Sequence, residues 1–133
     1  MTSSHRIAVT EESHVGVARR YVAEICARVS TEEVFRGRAA IVATEMTRNV
    51  VRHGKGGEII VRQILAPTAT GLELLALDRG PGLRNFAECL SDGFSTGGTT
   101  GSGLGAIKRL ADRFEVFPTW GWHGCLGAAI SFW

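Results

Sequence analysis

With 133 residues, the chain has room for one hydrophobic core but not two, and a single domain spanning residues 1–133 is expected. Hydrophobic residues make up 44% and charged residues 21%, and no apolar run approaches the roughly 18 residues of a membrane span, so a soluble protein with no membrane partner is expected. A formal charge of +2 with signs mixed along the chain leaves no basic stripe, which argues against nucleic acid as a partner.

The amino end, Met1-Thr2-Ser3-Ser4-His5-Arg6, has no apolar signal region behind it, so a cytoplasmic protein is expected. Ser4 to Val9 alternates weakly and reads as an edge strand. Thr10 reads as a helix N-cap, with Glu11 and Glu12 in the first turn, where the helix dipole favours negative charge. Val15, Ala18, Val22, Ile25 and Val29 then recur at helical spacing. That predicts one buried face, with Arg19, Arg20, Glu24 and Arg28 in water.

Ser30-Thr31-Glu32-Glu33 reads as a capping box opening a second helix, Ser30 bonding the backbone of Glu33. Phe35, Ala39, Val42 and Met46 mark its buried face. The same period continues onto Asn49 and His53, with Glu45 about 60° to one side. An apolar stripe that ends in polar groups needs an explanation, because a buried amide without a partner costs about 1–3 kcal/mol. Either the core supplies partners, Asn49 capping a neighbouring turn and His53 the helix end beside Gly54, or the helix end opens onto a polar ligand.

Gly54-Lys55-Gly56-Gly57 closes the helix. Glu58–Leu65 and Leu72–Leu77 read as antiparallel strands joined by a loose hairpin over Ala66–Gly71, and the second delivers Asp78 at its end. Leu83–Leu90 and Gly103–Ala111 read as short helices, the second apolar at Leu104, Ile107, Leu110 and Ala111. Phe114–Phe117 and Leu126–Phe132 read as a closing hairpin. Helices near the amino end and strands flanking a glycine-rich span imply a two-layer α/β sandwich, not a parallel βαβ sheet. Cys26, Cys89 and Cys125 are odd in number and lack Cys-x-x-Cys spacing, which suits small buried hydrophobes better than disulfides or zinc.

Glycine is the compositional outlier. The chain holds 17, six of them between Gly93 and Gly105, against a usual share of about 7%. Asp78-Arg79-Gly80-Pro81-Gly82 puts a carboxylate beside a turn where a flat ring can approach the backbone. The carboxylate can accept a hydrogen bond from the exocyclic amine of adenine. Gly101-Ser102-Gly103-Leu104-Gly105 leads into a helix whose free N–H groups and dipole favour phosphate. The Rossmann fingerprint fails because a Ser/Thr/Gly stretch, not a strand, precedes these glycines, and no P-loop pattern is present. Magnesium on a triphosphate takes oxygen ligands. Asn49 offers an amide oxygen, and Glu45, a turn earlier, can accept a proton from an attacking hydroxyl or water.

Glu45-x-x-x-Asn49, Asp78-x-Gly80-x-Gly82 and Gly101-x-Gly103-x-Gly105, in that order, resemble the N, G1 and G2 boxes of the GHKL ATPases, which share the Bergerat ATP-binding fold. Over essentially the whole chain the resemblance is to the RsbT/RsbW-type anti-sigma serine kinases. Asp92-Gly93-Phe94-Ser95-Thr96 and the run from Gly105 to Phe114 resemble the RsbT branch. The resemblance implies a mixed, mostly antiparallel sheet covered on one face by helices, with a lid over about residues 84–100. It implies ATP and Mg2+ as cofactors, with Asp78 on adenine, Asn49 on the metal, Glu45 as general base and Gly101, Gly103 and Gly105 on the phosphates. Gly80, Gly82, His53, Ser95, Thr96, Ser102 and Leu104 complete the nucleotide-binding set.

It further implies a protein serine/threonine kinase acting on a STAS-domain antagonist in a partner-switching pathway, with a PP2C-type phosphatase or a sigma factor as further partners, and dimerisation by analogy. The family's last hairpin usually carries Gly-x-Gly-Thr. Here it reads Gly121-Trp122-His123-Gly124-Cys125, and a thiol is a weaker hydrogen-bond group than a hydroxyl. Two alternatives stay open. One is a docking module with little turnover, to which Cys125 and the aromatic group Trp120, Trp122 and Trp133 point. The other, suggested by the apolar ending Ser131-Phe132-Trp133, is the ATP-binding half of a phosphatase fusion.

Overall fold

The structure is a computed structural model that describes the backbone of residues 4–53, 56–78, 104–118 and 124–132; the side chains of residues 53, 69, 78, 104, 116–118 and 124–132 lie outside that description. The elements run β1 (Ser4–Val9), α1 (Ser13–Val29), α2 (Glu33–His53), β2 (Gly57–Ala66), β3 (Ala69–Asp78), α3 (Leu104–Leu110), β4 (Arg113–Pro118) and β5 (Gly124–Phe132). The strands form a sheet of order β1-β2-β3-β5-β4, and each of the four pairings is antiparallel. The two-layer expectation therefore holds and β1 is an edge strand, but the described sheet is antiparallel throughout and not mixed. Among the described residues, no helix is long and apolar enough to cross a membrane.

Alternation along the strands decides which face the helices cover. Ile7 and Val9 of β1, Ile59 and Val61 of β2, and Leu72, Leu74 and Ala76 of β3 are buried, and the register sets Ile7 opposite Ile59, Ile59 opposite Ala76 and Val61 opposite Leu74. One continuous apolar surface results. Val15, Ala18, Val22, Ile25 and Cys26 of α1 cover it together with Phe35, Ala39, Val42, Ala43, Met46 and Val50 of α2, and Ile107 of α3 joins them. The opposite face carries cross-strand ion pairs. Arg62 lies directly opposite Glu73, Nη2 to Oε1 2.6 Å, and Arg6 reaches Glu58 at 3.6 Å.

Several local details differ from the sequence reading. The first helix starts at Ser13, so Glu11 and Glu12 precede it and its first turn holds no acid. Thr10 does not cap by its hydroxyl; its backbone N–H donates to Nδ1 of His14 at 3.0 Å, within a turn in which the His14 N–H donates to the Glu11 carbonyl. The capping box is likewise not formed as expected. The Ser30 Oγ accepts from the N–H of Glu32, at 3.0 Å, while the Ser30 N–H closes α1 on the Cys26 carbonyl. A single residue thus ends one helix and shapes the entry to the next, which explains its near-complete burial. The expected loose hairpin is tight: Ala66 pairs with Ala69, and only Pro67-Thr68 lies between them. Both strands are longer than predicted because the register continues through Leu65 and Thr70.

After α2 the chain turns through Gly56, whose φ of +88° is a left-handed conformation that a Cβ disfavours. Its N–H donates to the carbonyl of Val50. The expected helix over Leu83–Leu90 and the lid over 84–100 lie outside the described residues.

Candidate functional site

The site is built around α2. Its apolar stripe is as expected, with Ala39, Val42 and Met46 fully buried and Phe35 nearly so. Thr47 is also fully buried, and its hydroxyl is satisfied by donating to the Ala43 carbonyl, at 2.6 Å. Asn49 is not satisfied in this way: its Nδ2 is buried and has no hydrogen-bond partner among the described residues. A group in that state destabilises the chain unless something binds it. None of the described residues supplies the partner that the core alternative requires for this atom.

Glu45 stands one turn earlier and is about a quarter exposed, so its carboxylate reaches the surface. Arg48, which the sequence reading did not single out, approaches it with Nη1 3.6 Å from Oε1, as the i,i+3 spacing on a helix allows. The spacing Glu45-x-x-Arg48 was the available signal.

Asp78 is the last residue of β3, and its backbone pairs with Gly57 of β2. α2 packs across β3, β5 and α3, so the strand ending at Asp78 and the helix opening at Leu104 and Gly105 both abut the element that carries Glu45 and Asn49. Cys125 pairs with Leu77, one position from Asp78, and so lies in the strand beside the candidate adenine acceptor. The side chains of His53, Asp78, Leu104 and Cys125, and the whole of Gly80, Gly82, Ser95, Thr96, Gly101, Ser102 and Gly103, lie outside the described residues, as do Cys89, Trp120, Trp122 and Trp133.

Arg38 is a second residue that periodicity did not single out. Its Nε donates to the Leu110 carbonyl at 2.8 Å, its Nη2 donates to the same oxygen, and Nη2 also lies 3.2 Å from the Asp112 carboxylate. A guanidinium thus caps the carboxyl end of α3, where a cation suits the helix dipole. Nothing in the sequence identifies this contact, because 72 residues separate the partners.

Among the described residues, no group of three or more His, Cys, Asp or Glu side chains could hold a metal ion. An amide oxygen such as that of Asn49 is of the kind magnesium accepts beside phosphate and water.

The model of the histidine kinase-like ATPase domain matches residues 7–120 of this sequence. The chain belongs to that family. The GHKL resemblance carried by Glu45, Asn49, Asp78 and the glycines is borne out at this level, and with it the two-layer fold. The chain is also similar to the serine/threonine-protein kinase RsbT of Bacillus subtilis (strain 168), 28% identical over 116 residues that cover 87% of this chain and 87% of the relative.

Proposed function

We propose that this chain is one ATP-binding domain that works in the cytoplasm as a serine/threonine protein kinase of a partner-switching pathway, phosphorylating a serine or threonine on a STAS-domain protein. The observation that carries the reading is the pair on α2: Asn49, whose buried amide nitrogen has no partner among the described residues, and part-exposed Glu45 one turn before it. Membership of the ATPase family supports ATP as the ligand, and the similarity to a serine/threonine kinase supports transfer to a hydroxyl.

In this reading Asp78 accepts a hydrogen bond from the adenine amine, and Gly80 and Gly82 let the ring approach the backbone. Gly101, Gly103 and Gly105 place N–H groups on the phosphates, with His53, Ser95, Thr96, Ser102 and Leu104 beside them. The Asn49 side-chain oxygen is the protein's ligand to magnesium, which when bound offsets phosphate charge. Glu45 takes the proton from the acceptor hydroxyl as its oxygen bonds to the γ-phosphorus and ADP departs with the electrons of the broken bond. Cys125 weakens support beside Asp78, so ATP affinity is modest for this fold.

The test is phosphotransfer. Purified protein with ATP and magnesium is incubated with the STAS-domain proteins of its own organism, and the acceptors are read by mass spectrometry. One phosphoserine or phosphothreonine dependent on Glu45 is expected. ATP binding with no modified acceptor would instead favour the docking module, and absence of ATP binding would overturn the site.

A further inference from the structure

α1 and α2 leave an open groove of about 310 Å³ whose lining includes Ile41, Thr44, Glu45 and Arg48 of α2. Glu45 thus borders open space on a helix that otherwise packs into the core. Its side chain is part-exposed and turns about several single bonds, so the helix alone does not fix where the carboxylate oxygens lie. A proton acceptor has to be fixed, because displacement of a reacting group by about 1 Å can slow transfer on the order of 100-fold. Another group must hold it.

Arg48 is the described residue placed to do so. Its Nη1 lies 3.6 Å from Glu45 Oε1, a charge contact longer than a hydrogen bond. Among the described residues, Glu45 makes no other ion pair. The arginine is half enclosed: its side chain is 41% exposed, yet Nε is buried and has no hydrogen-bond partner among the described residues. Enclosure at Nε limits the directions the head can take, and the outer nitrogen meets the carboxylate. Folding does not account for this arrangement. An ion pair at the surface adds little stability, and a buried donor without a partner subtracts from it. The closest approach is to Oε1, which leaves Oε2 the freer oxygen.

We propose that Arg48 is a positioning residue for phosphoryl transfer, holding Oε1 of Glu45 so that Oε2 faces the attacking oxygen. This rests on the kinase reading of Glu45 and deepens it by naming the residue that sets the base in place. The proton of the attacking hydroxyl or water passes to Oε2 as its oxygen bonds to the γ-phosphorus, and ADP departs with the electrons of the broken bond. Arg48 acts through Glu45 alone, so its loss falls on the rate of transfer and not on the affinity for ATP.

The test uses the full chain with ATP and magnesium. Transfer to water, read as released phosphate, is measured for wild type, Arg48→Met, Arg48→Lys and Arg52→Ala, the last removing an exposed charge one turn further along α2. Arg48→Met is expected to lower kcat about 10–100-fold, while the KM for ATP and the magnesium requirement stay within about twofold of wild type. Arg48→Lys keeps the charge without the fork and should recover part of that loss. Arg52→Ala should leave kcat unchanged, and urea midpoints serve as the folding control. In the ¹⁵N-labelled chain, the Nε–H signal of Arg48, identified by its loss in Arg48→Lys, should move in Glu45→Gln. A kcat for Arg48→Met within about twofold of wild type, an equal loss in Arg52→Ala, a loss confined to ATP affinity, no recovery by Arg48→Lys, or an Nε–H signal indifferent to Glu45→Gln would each overturn the role of Arg48. If wild type turns over and these signs fail, the kinase reading stands without this role. If wild type transfers phosphate to neither water nor protein, the kinase reading is at fault and this role falls with it.

Discussion

The clamp of Arg38 on α3 makes a prediction that separates fold from site. α3 has only seven residues, well below the roughly 12 needed for a helix to hold itself in water, so it depends on Ile107 in the core and on the capped carbonyl of Leu110. Arg38→Ala removes both donors to that carbonyl. Hydrogen bonds from a charged donor are worth about 1.5–3 kcal/mol, and water can partly replace a donor whose side chain is 27% exposed. The surface pairing with Asp112 adds at most about 1 kcal/mol. The expected loss is about 2 kcal/mol, read as a lower urea midpoint at unchanged slope. Because α3 opens at the glycines proposed to hold phosphate, ATP binding measured by calorimetry should weaken as well. Arg38→Lys keeps the charge but not the fork, and should recover only part of the loss. A double-mutant cycle with Asp112→Asn should give a coupling below about 1 kcal/mol. Stability of Arg38→Ala within about 0.5 kcal/mol of wild type, or a fully competent Arg38→Lys, would refute the clamp.

Asp78→Asn should weaken ATP binding, whereas Glu45→Ala should leave binding intact and abolish transfer; equal loss of binding in both would sink the assignment of roles. Met46→Ala, at a fully buried position, should cost about 2–5 kcal/mol, while Ile41→Ala, half exposed, should stay within about 0.5 kcal/mol, both by urea denaturation. Burial pushes the Cys26 thiol up from 9.0 to about 11. Its folded-state value is raised, so its contribution is intact below pH 9 and is lost as pH climbs towards 11. Wild type should lose on the order of 2 kcal/mol more than Cys26→Ala across that window in denaturation series at fixed pH. Gly56→Ala should cost about 1–2 kcal/mol because φ at that position is left-handed, and a neutral result by thermal unfolding would contradict the turn geometry.

Periodicity made most of the fold legible, and long-range geometry is where it ran out. The stripe of α2 could be read because burial repeats with the helix, and the alternation of Ile59, Val61, Leu72 and Leu74 made the strands readable in the same way. The start of α1 could not be read: Thr10, Glu11 and Glu12 satisfy the usual cap preferences, yet the chain spends those residues in a turn that His14 closes. Ser30 deceived in a similar way, since its hydroxyl can serve the N–H two residues on as readily as the one three residues on. The tight turn at Pro67-Thr68 was missed because Thr70 and Gly71 look like loop residues until their partners, Leu65 and Ile64, are known. Within the site, Glu45 and Asn49 stood out through the conflict between an apolar stripe and a polar end. Arg38 and Arg48 did not, since an arginine on an exposed helix face is unremarkable until its partner is placed.

What joins these residues is one line along α2. Arg38 and Glu45 are seven residues apart and differ by about 20° around the helix, and Glu45 and Asn49, four apart, differ by about 40°. The line runs along the border between the buried face, marked by Val42 and Met46, and the groove face, marked by Ile41 and Thr44. Arg38 and Glu45 on this border are anchored beside the core yet part-exposed, which is what a clamp and the proposed proton acceptor each require. Moving any of them one residue along the chain would rotate it by about 100°, into the apolar cluster or away from its partner. The spacing of the polar residues is therefore constrained by the same helix that packs the sheet. The candidate site therefore shows in the sequence as an interruption of the core stripe.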